Sequence, residues 1–200
     1  GEFFRFSDGN VELDYPTHTP SEGDRIVRIY DQKSNYNHNA YDATQTEQSS
    51  QPTVRFEDGV PFASFELGQY LVIDVASVLN SANFVITIKG NSSHPRPLFS
   101  CWGDDTISIE PGDFGRYRFN EQRVTLPEGN RIAQLFCGED KANSGRVLEV
   151  KNSTSEGALP QPKQDMTFTD VAIGRSGVRY FTGTFSEITY HNNISKVARS

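Results

Sequence analysis

The sequence predicts an all-β fold, two antiparallel sheets packed face to face, on three observations. Apolar and polar residues alternate in one segment after another, most fully from Phe181 to Tyr190, as in strands with one buried face. Turn residues recur roughly every 8 to 12 positions, the spacing of β-sandwich domains. No segment sustains a helical period, and the apolar residues, 35% of the chain, include 14 Phe and 8 Tyr, which suit pleated sheet. The 200 residues read as one domain, 1–200, because no repeat or long linker marks a boundary. A unit of this size should bury roughly 70% of its unfolded surface.

Taken in order, Phe4-Arg5-Phe6 and Val11 to Tyr15 alternate around Ser7-Asp8-Gly9-Asn10 and predict a first hairpin or edge. Asp24 to Tyr30 is a strand with Ile26, Arg28 and Tyr30 on one side. Pro52 to Glu57 and Phe62 to Leu67 flank Asp58-Gly59, a second hairpin. Tyr70 to Val75 and Asn83 to Lys89 are apolar strands. Pro97 to Trp102 turns through Gly103-Asp104-Asp105 into Thr106 to Ile109, and Pro111-Gly112-Asp113 turns the chain again. Four short strands follow at Arg116–Phe119, Arg123–Leu126, Ile132–Cys137 and Gly145–Lys151. Val171 to Gly174 is a strand stopped by glycine, Ser176-Gly177 a turn, and Phe181 to Tyr190 the last strand. In that strand Phe181, Gly183, Phe185, Glu187 and Thr189 share one face and Thr184, Ser186, Ile188 and Tyr190 the other. The only helix expected is a turn over 194–199, capped by Ser195.

The formal net charge is −7 with both signs interspersed, so no strongly positive face is expected and nucleic acid is repelled at long range. No apolar run approaches the roughly 20 residues of a membrane span. Gly1 in place of Met reads as a processed or excised piece. The even pair Cys101 and Cys137, with Asn-x-Ser/Thr sequons at Asn91, Asn152 and Asn193, points to a secreted domain with one disulfide and glycosylated loops; the alternative is two unpaired buried thiols.

Catalytic patterns are weak. Glu110 and Asp113 flank a Pro-Gly turn and read as solvated, as do the neighbours Glu139 and Asp140. Neither forms the paired carboxylates that glycoside hydrolysis needs. The four histidines are scattered, and no nucleophile elbow or zinc spacing is present. Saccharide recognition needs aromatic faces for the sugar ring and polar groups for its hydroxyls. Tyr36, His38, Asn39, Tyr41, Trp102, Asp104, Asp105 and Arg179 are the candidates. Trp102, the single tryptophan, is equally consistent with a core residue packed on a disulfide.

Two stretches carry a resemblance. Val171-Ala172-Ile173-Gly174, then Phe181-x-Gly183-x-Phe185-Ser186-Glu187-Ile188-x-Tyr190 and Ile194-Ser195-x-x-x-Arg199, resembles the C-terminal end of laminin-G-like and concanavalin A-like jelly-roll domains. Tyr30-Asp31-Gln32, the loop Ser34-Asn35-x-Asn37-x-Asn39-Ala40 and Gln51-Pro52-x-Val54 are similar to the start of family-B α-L-arabinofuranosidase catalytic domains. Lys33 is inserted there, and Asn35 and Tyr36 replace loop glycines. The resemblance implies a concanavalin A-like jelly roll with its first and last strands adjacent. It also implies a rim site for a calcium ion, Ca2+, from Asp31, Asn35, Asn37, Asn39 and Asp42, oxygen donors of the kind hard cations prefer, with Gly103-Asp104-Asp105 a second location; the alternative is an asparagine-stabilised turn. No position inherits a catalytic role, because that family's catalytic carboxylates lie outside the matching segment.

The function expected is a non-catalytic recognition module, secreted or on a cell or virion surface, that binds glycan or a matrix protein through its rim loops. The alternatives are a glycoside hydrolase-related domain and a self-assembling structural module of a coat, fibre or matrix.

Overall fold

A computed structural model describes residues 2–5, 11–14, 19–30, 42–73, 84–94, 96–103, 105–112, 115–127, 132–140, 145–152, 156–159 and 168–192. In chain order the strands are β1 Glu2–Arg5, β2 Val11–Leu13, β3 Ile26–Ile29, β4 Ala43–Thr44, β5 Thr53–Glu57, β6 Val60–Phe65, β7 Leu71–Ile73, β8 Phe84–Asn91, β9 Phe99–Gly103 and β10 Thr106–Glu110. They continue as β11 Gly115–Phe119, β12 Gln122–Leu126, β13 Ile132–Asp140, β14 Gly145–Asn152, β15 Glu156–Leu159, β16 Phe168–Ile173, β17 Arg175–Ser176, β18 Arg179–Tyr180 and β19 Gly183–Asn192. A single 3-10 turn, Gln48–Ser50, is the only helical element among the described residues.

All-β character is therefore correct, but the jelly roll is not. The strands form three antiparallel sheets. One has eight strands in the order β15-β14-β13-β8-β19-β6-β5, with β1 also on β19. A second has nine, β12-β11-β10-β9-β16-β7-β4-β3-β2, and the pair β17-β18 stands apart. No sheet closes into a barrel or curls as a concanavalin A-like jelly roll requires. The physical reason lies in the short turns: β9 to β12 and β13 to β15 run as successive hairpins within one sheet, where a jelly roll wraps Greek keys across two. The first and last strands are adjacent as expected, Glu2 facing Tyr190 and Arg5 facing Glu187.

Of the two readings of the first segment, the edge holds, β2 ending the nine-stranded sheet, and the hairpin does not, since β1 joins the eight-stranded sheet while β2 pairs with β3. The β5–β6 hairpin does form. Asp58 (φ 51°) and Gly59 (φ 77°) both take positive φ, the geometry of a two-residue turn that matches strand twist. The open edge of β5 is guarded: Arg25 bridges to Thr53, and Glu22 accepts hydrogen bonds from Arg55 (3.0 Å) and the Phe56 amide (2.9 Å). A paired or charged edge does not template another chain.

Pleating aligns side chains across the nine-stranded sheet in rows. One row, Phe119, Ile107, Cys101, Val171, Ile73, Ala43 and Ile29, lies in register on the inner face, and Tyr117, Ile109, Phe99, Ile173 and Leu71 form the next. These residues are buried in one cluster with Val54, Ala63, Phe65, Ile88, Phe185 and Ile188 of the eight-stranded sheet. The alternation expected from Phe181 to Tyr190 is interrupted by a bulge between Phe185 and Glu187. The extra residue shifts the parity, so Phe185 and Ile188 are both buried.

The disulfide does not form. Cys101 is a free, fully buried thiol, enclosed by Ile107 and Val171 of its own sheet, whereas Cys137 sits on β13 of the other. Burial pushes the Cys101 thiol well up, and the charge of Asp170 adds to this, so it packs as a small apolar residue. The argument from paired cysteines for an oxidising compartment falls with it. Among the described residues no helix is long and apolar enough to cross a membrane.

Candidate functional site

The outer face of the nine-stranded sheet carries the polar partners of the inner rows. Its middle row is unusually small: Ser108, Ser100 and Ala172 stand side by side in register, each 1% exposed. Small side chains leave space for backbone. The hairpin β17–β18 occupies it as a flap, with Ser100 Oγ donating to the Arg175 carbonyl at 2.6 Å. The neck of the flap is fixed by the Gly174 amide donating to Leu98 O (2.7 Å) and the Phe181 amide donating to Gly174 O (2.9 Å).

At one end of the flap sits Glu110, fully buried. Arg116 and Arg118 reach it because residues two apart on β11 share a face, and Arg116 lies directly opposite Glu110. Arg179 comes from the flap. Glu110 Oε1 accepts from Arg116 Nε (3.1 Å), Arg116 Nη2 (3.0 Å) and Arg179 Nη2 (2.7 Å). Oε2 accepts from Arg118 Nε (2.8 Å), Arg179 Nη1 (3.3 Å) and Ser108 Oγ (3.2 Å). Burial by itself would raise the carboxyl pKa; the Arg179 hydrogen bonds and the charges of Arg179, Arg116 and Arg118 outweigh it and hold the group below its ordinary value. Glu110 is thus a locked carboxylate, not the solvated turn residue expected, and not a proton donor.

At the other end sits Trp102. It is 40% exposed, on the opposite face of β9 from Cys101, so the reading as a core residue packed on a disulfide is overturned. Its Nε1 donates to Ser176 Oγ at 2.9 Å. Gly177 (φ +60°) lies so close that a Cβ there would stand 3.0 Å from the ring, which ties the flap turn to glycine. The indole is held in place yet faces solvent. Around it, Arg175 lies over the Tyr70 ring at 3.9 Å and pairs with Asp170 at 3.6 Å, and Tyr180 packs on Tyr70.

The structure therefore brings Trp102 and Arg179, chosen separately from sequence, to one flap. Asp105 lies in the turn after Trp102 and accepts from Asn120 Nδ2 at 3.0 Å. Tyr36, His38, Asn39, Tyr41 and Asp104 lie outside the described residues, as do Asp31, Asn35 and Asn37 of the calcium set. Asp42 is buried and bound by Arg28 Nη1 at 3.2 Å, which commits one carboxylate oxygen to a guanidinium. No group of three potential metal ligands is found among the described residues. Asn91 is exposed at the end of β8, Asn152 ends β14, and Asn193 lies outside the described residues. Asn91 also lines a groove of ≈ 610 Å³ between the β5–β6 hairpin and β8, which holds none of the other candidates.

Sequence reasoning misread Glu110 as solvated and missed Arg116, Arg118 and Arg175. The available signal was Arg-x-Arg on a strand just after a turn, facing a glutamate before it. Interspersed charge in the chain also hid a concentration in space: Arg116, Arg118, Arg123, Arg175 and Arg179 all belong to this region. Compared with known proteins, the chain matches no family model, no curated protein and no solved structure.

Proposed function

We propose that this chain is a non-catalytic recognition module that binds a saccharide on the outer face of its nine-stranded sheet, at Trp102 and the flap. The observation that carries this reading is the half-exposed indole whose position is fixed on two sides, by Ser176 and by Gly177. A preorganised aromatic face loses little freedom on binding and offers a sugar ring an apolar surface, while Asp170 and Arg175 beside it supply hydroxyl partners. The site differs from the loop rim first expected. Binding without chemistry is favoured because Glu110 already has both oxygens occupied by guanidinium groups.

Trp102 is the only tryptophan in the chain, so its emission reports on this site directly. Titration with a panel of neutral and acidic polysaccharides should quench or shift that emission for at least one of them. Trp102→Ala should abolish binding, measured by calorimetry, while the circular dichroism spectrum is retained. Saccharide binding that leaves the indole emission unchanged would place the site elsewhere.

A further inference from the structure

The arginines around Glu110 outnumber it, and the excess is turned outward. Three guanidinium groups meet one carboxylate, and the carboxylate side chain is 0% exposed while those of Arg116, Arg118 and Arg179 are 20%, 27% and 39% exposed. Around Glu110 itself what reaches solvent is guanidinium, on a chain of net charge −7, and the exposed carboxylate of Asp170 lies at the Trp102 end, paired with Arg175.

A second feature is independent of Glu110. Arg118 on β11 lies directly opposite Arg123 on β12. Like charges in this position disfavour the pairing of strands. Arg118 engages Glu110 through Nε at 2.8 Å, and among the described residues its Nη groups have no acceptor; nor has exposed Arg123. Thr125, also exposed, adds a hydroxyl opposite Arg116. An anion between Arg118 and Arg123 would relieve the repulsion and use donors otherwise left to water.

Resting on the saccharide reading above, we infer that the ligand is acidic, and that the carboxylate of a uronic acid residue binds between Arg118 and Arg123 while a neighbouring ring lies against Trp102. The forked guanidinium matches a carboxylate with two parallel hydrogen bonds, as Arg179 already does on Glu110 through Nη1 and Nη2. The spacing suits one short chain. Trp102 and Arg118 are two strands apart, about 10 Å, and two positions offset along the strands, about 7 Å, a span of a few pyranose rings.

The test uses polygalacturonate, its fully methyl-esterified form, dextran sulfate and a mixed-sequence DNA oligonucleotide, titrated into the whole chain and into Arg123→Glu. Polygalacturonate should bind and the methyl ester should not. Arg123→Glu should weaken polygalacturonate about tenfold or more, the loss of a charge-assisted hydrogen bond, while raising the melting temperature of the free protein by removing the like-charge pair. Equal binding of the methyl ester overturns the acidic ligand but keeps the saccharide site. Binding to none of the polysaccharides overturns both readings. Tighter binding of dextran sulfate or DNA, with the same dependence on Arg123, overturns the uronate. An unchanged affinity in Arg123→Glu removes the Arg118–Arg123 site.

Discussion

Glu110 and Glu22 each join a strand to its surroundings through arginine, and they differ in almost everything else. Glu110 is sealed from water, holds three arginines and fastens the flap to the nine-stranded sheet. Glu22 has a side chain 56% exposed, holds one arginine that is itself 43% exposed, and guards an edge. The chemistry of the contact is the same; burial sets its energetic consequence. In water an ion pair is screened and worth little, whereas a buried charge that loses its partners is left with a large desolvation cost.

The contrast is sharpest in Glu110→Ala. It leaves Arg116, Arg118 and Arg179 facing one another without a counter-ion and should cost about 3–5 kcal/mol of stability, read from denaturant unfolding, with faster hydrogen exchange in residues 175–180. The same group sets an acid limit. Because its folded pKa is depressed, its contribution is fully present above the unfolded carboxylate value of about 4.3 and is lost as pH falls through the folded value. Glu110→Gln should flatten that part of the stability curve. A loss under about 1 kcal/mol in Glu110→Ala would erase the difference between the two sites.

A smaller effect of opposite sign belongs to the other face of β11. Tyr117 is 1% exposed, its hydroxyl has no partner among the described residues, and burial raises its pKa. Tyr117→Phe removes an unsatisfied polar atom and should stabilise the protein by about 1 kcal/mol, seen as a higher denaturant midpoint. Destabilisation of that size would mean the hydroxyl is satisfied. Least of all, Glu22→Ala should change stability by no more than about 1 kcal/mol; its measurable effect should be on association, with growth of larger species in light scattering as the β5 edge loses its guard.

The inner faces were legible in the sequence, and the assignment of strands to sheets was not. Alternation located most of β3 to β14, and Asp58-Gly59 specified its hairpin, because both signals are local. Nothing local tells β1 and β2 to join different sheets, or tells Ser186 to be the extra residue of a bulge. The strand β15, Glu-Gly-Ala-Leu, was missed because its residues are poor strand formers, and its place is fixed by β14. The site was half legible. Trp102 and Arg179 were chosen by residue type, but what unites them is a flap held on Ser100, in a buried row with Ser108 and Ala172, residues from three strands whose common property is small size.

That small-residue row constrains how this protein can diverge. With a flap carbonyl 2.6 Å from Ser100 Oγ and its row neighbours Ser108 and Ala172 equally buried, drift toward Leu, Gln or Phe at any of the three should appear only where the segment 175–180 has been shortened or lost. A descendant that keeps the flap should keep all three small, however far the rest of its surface has changed.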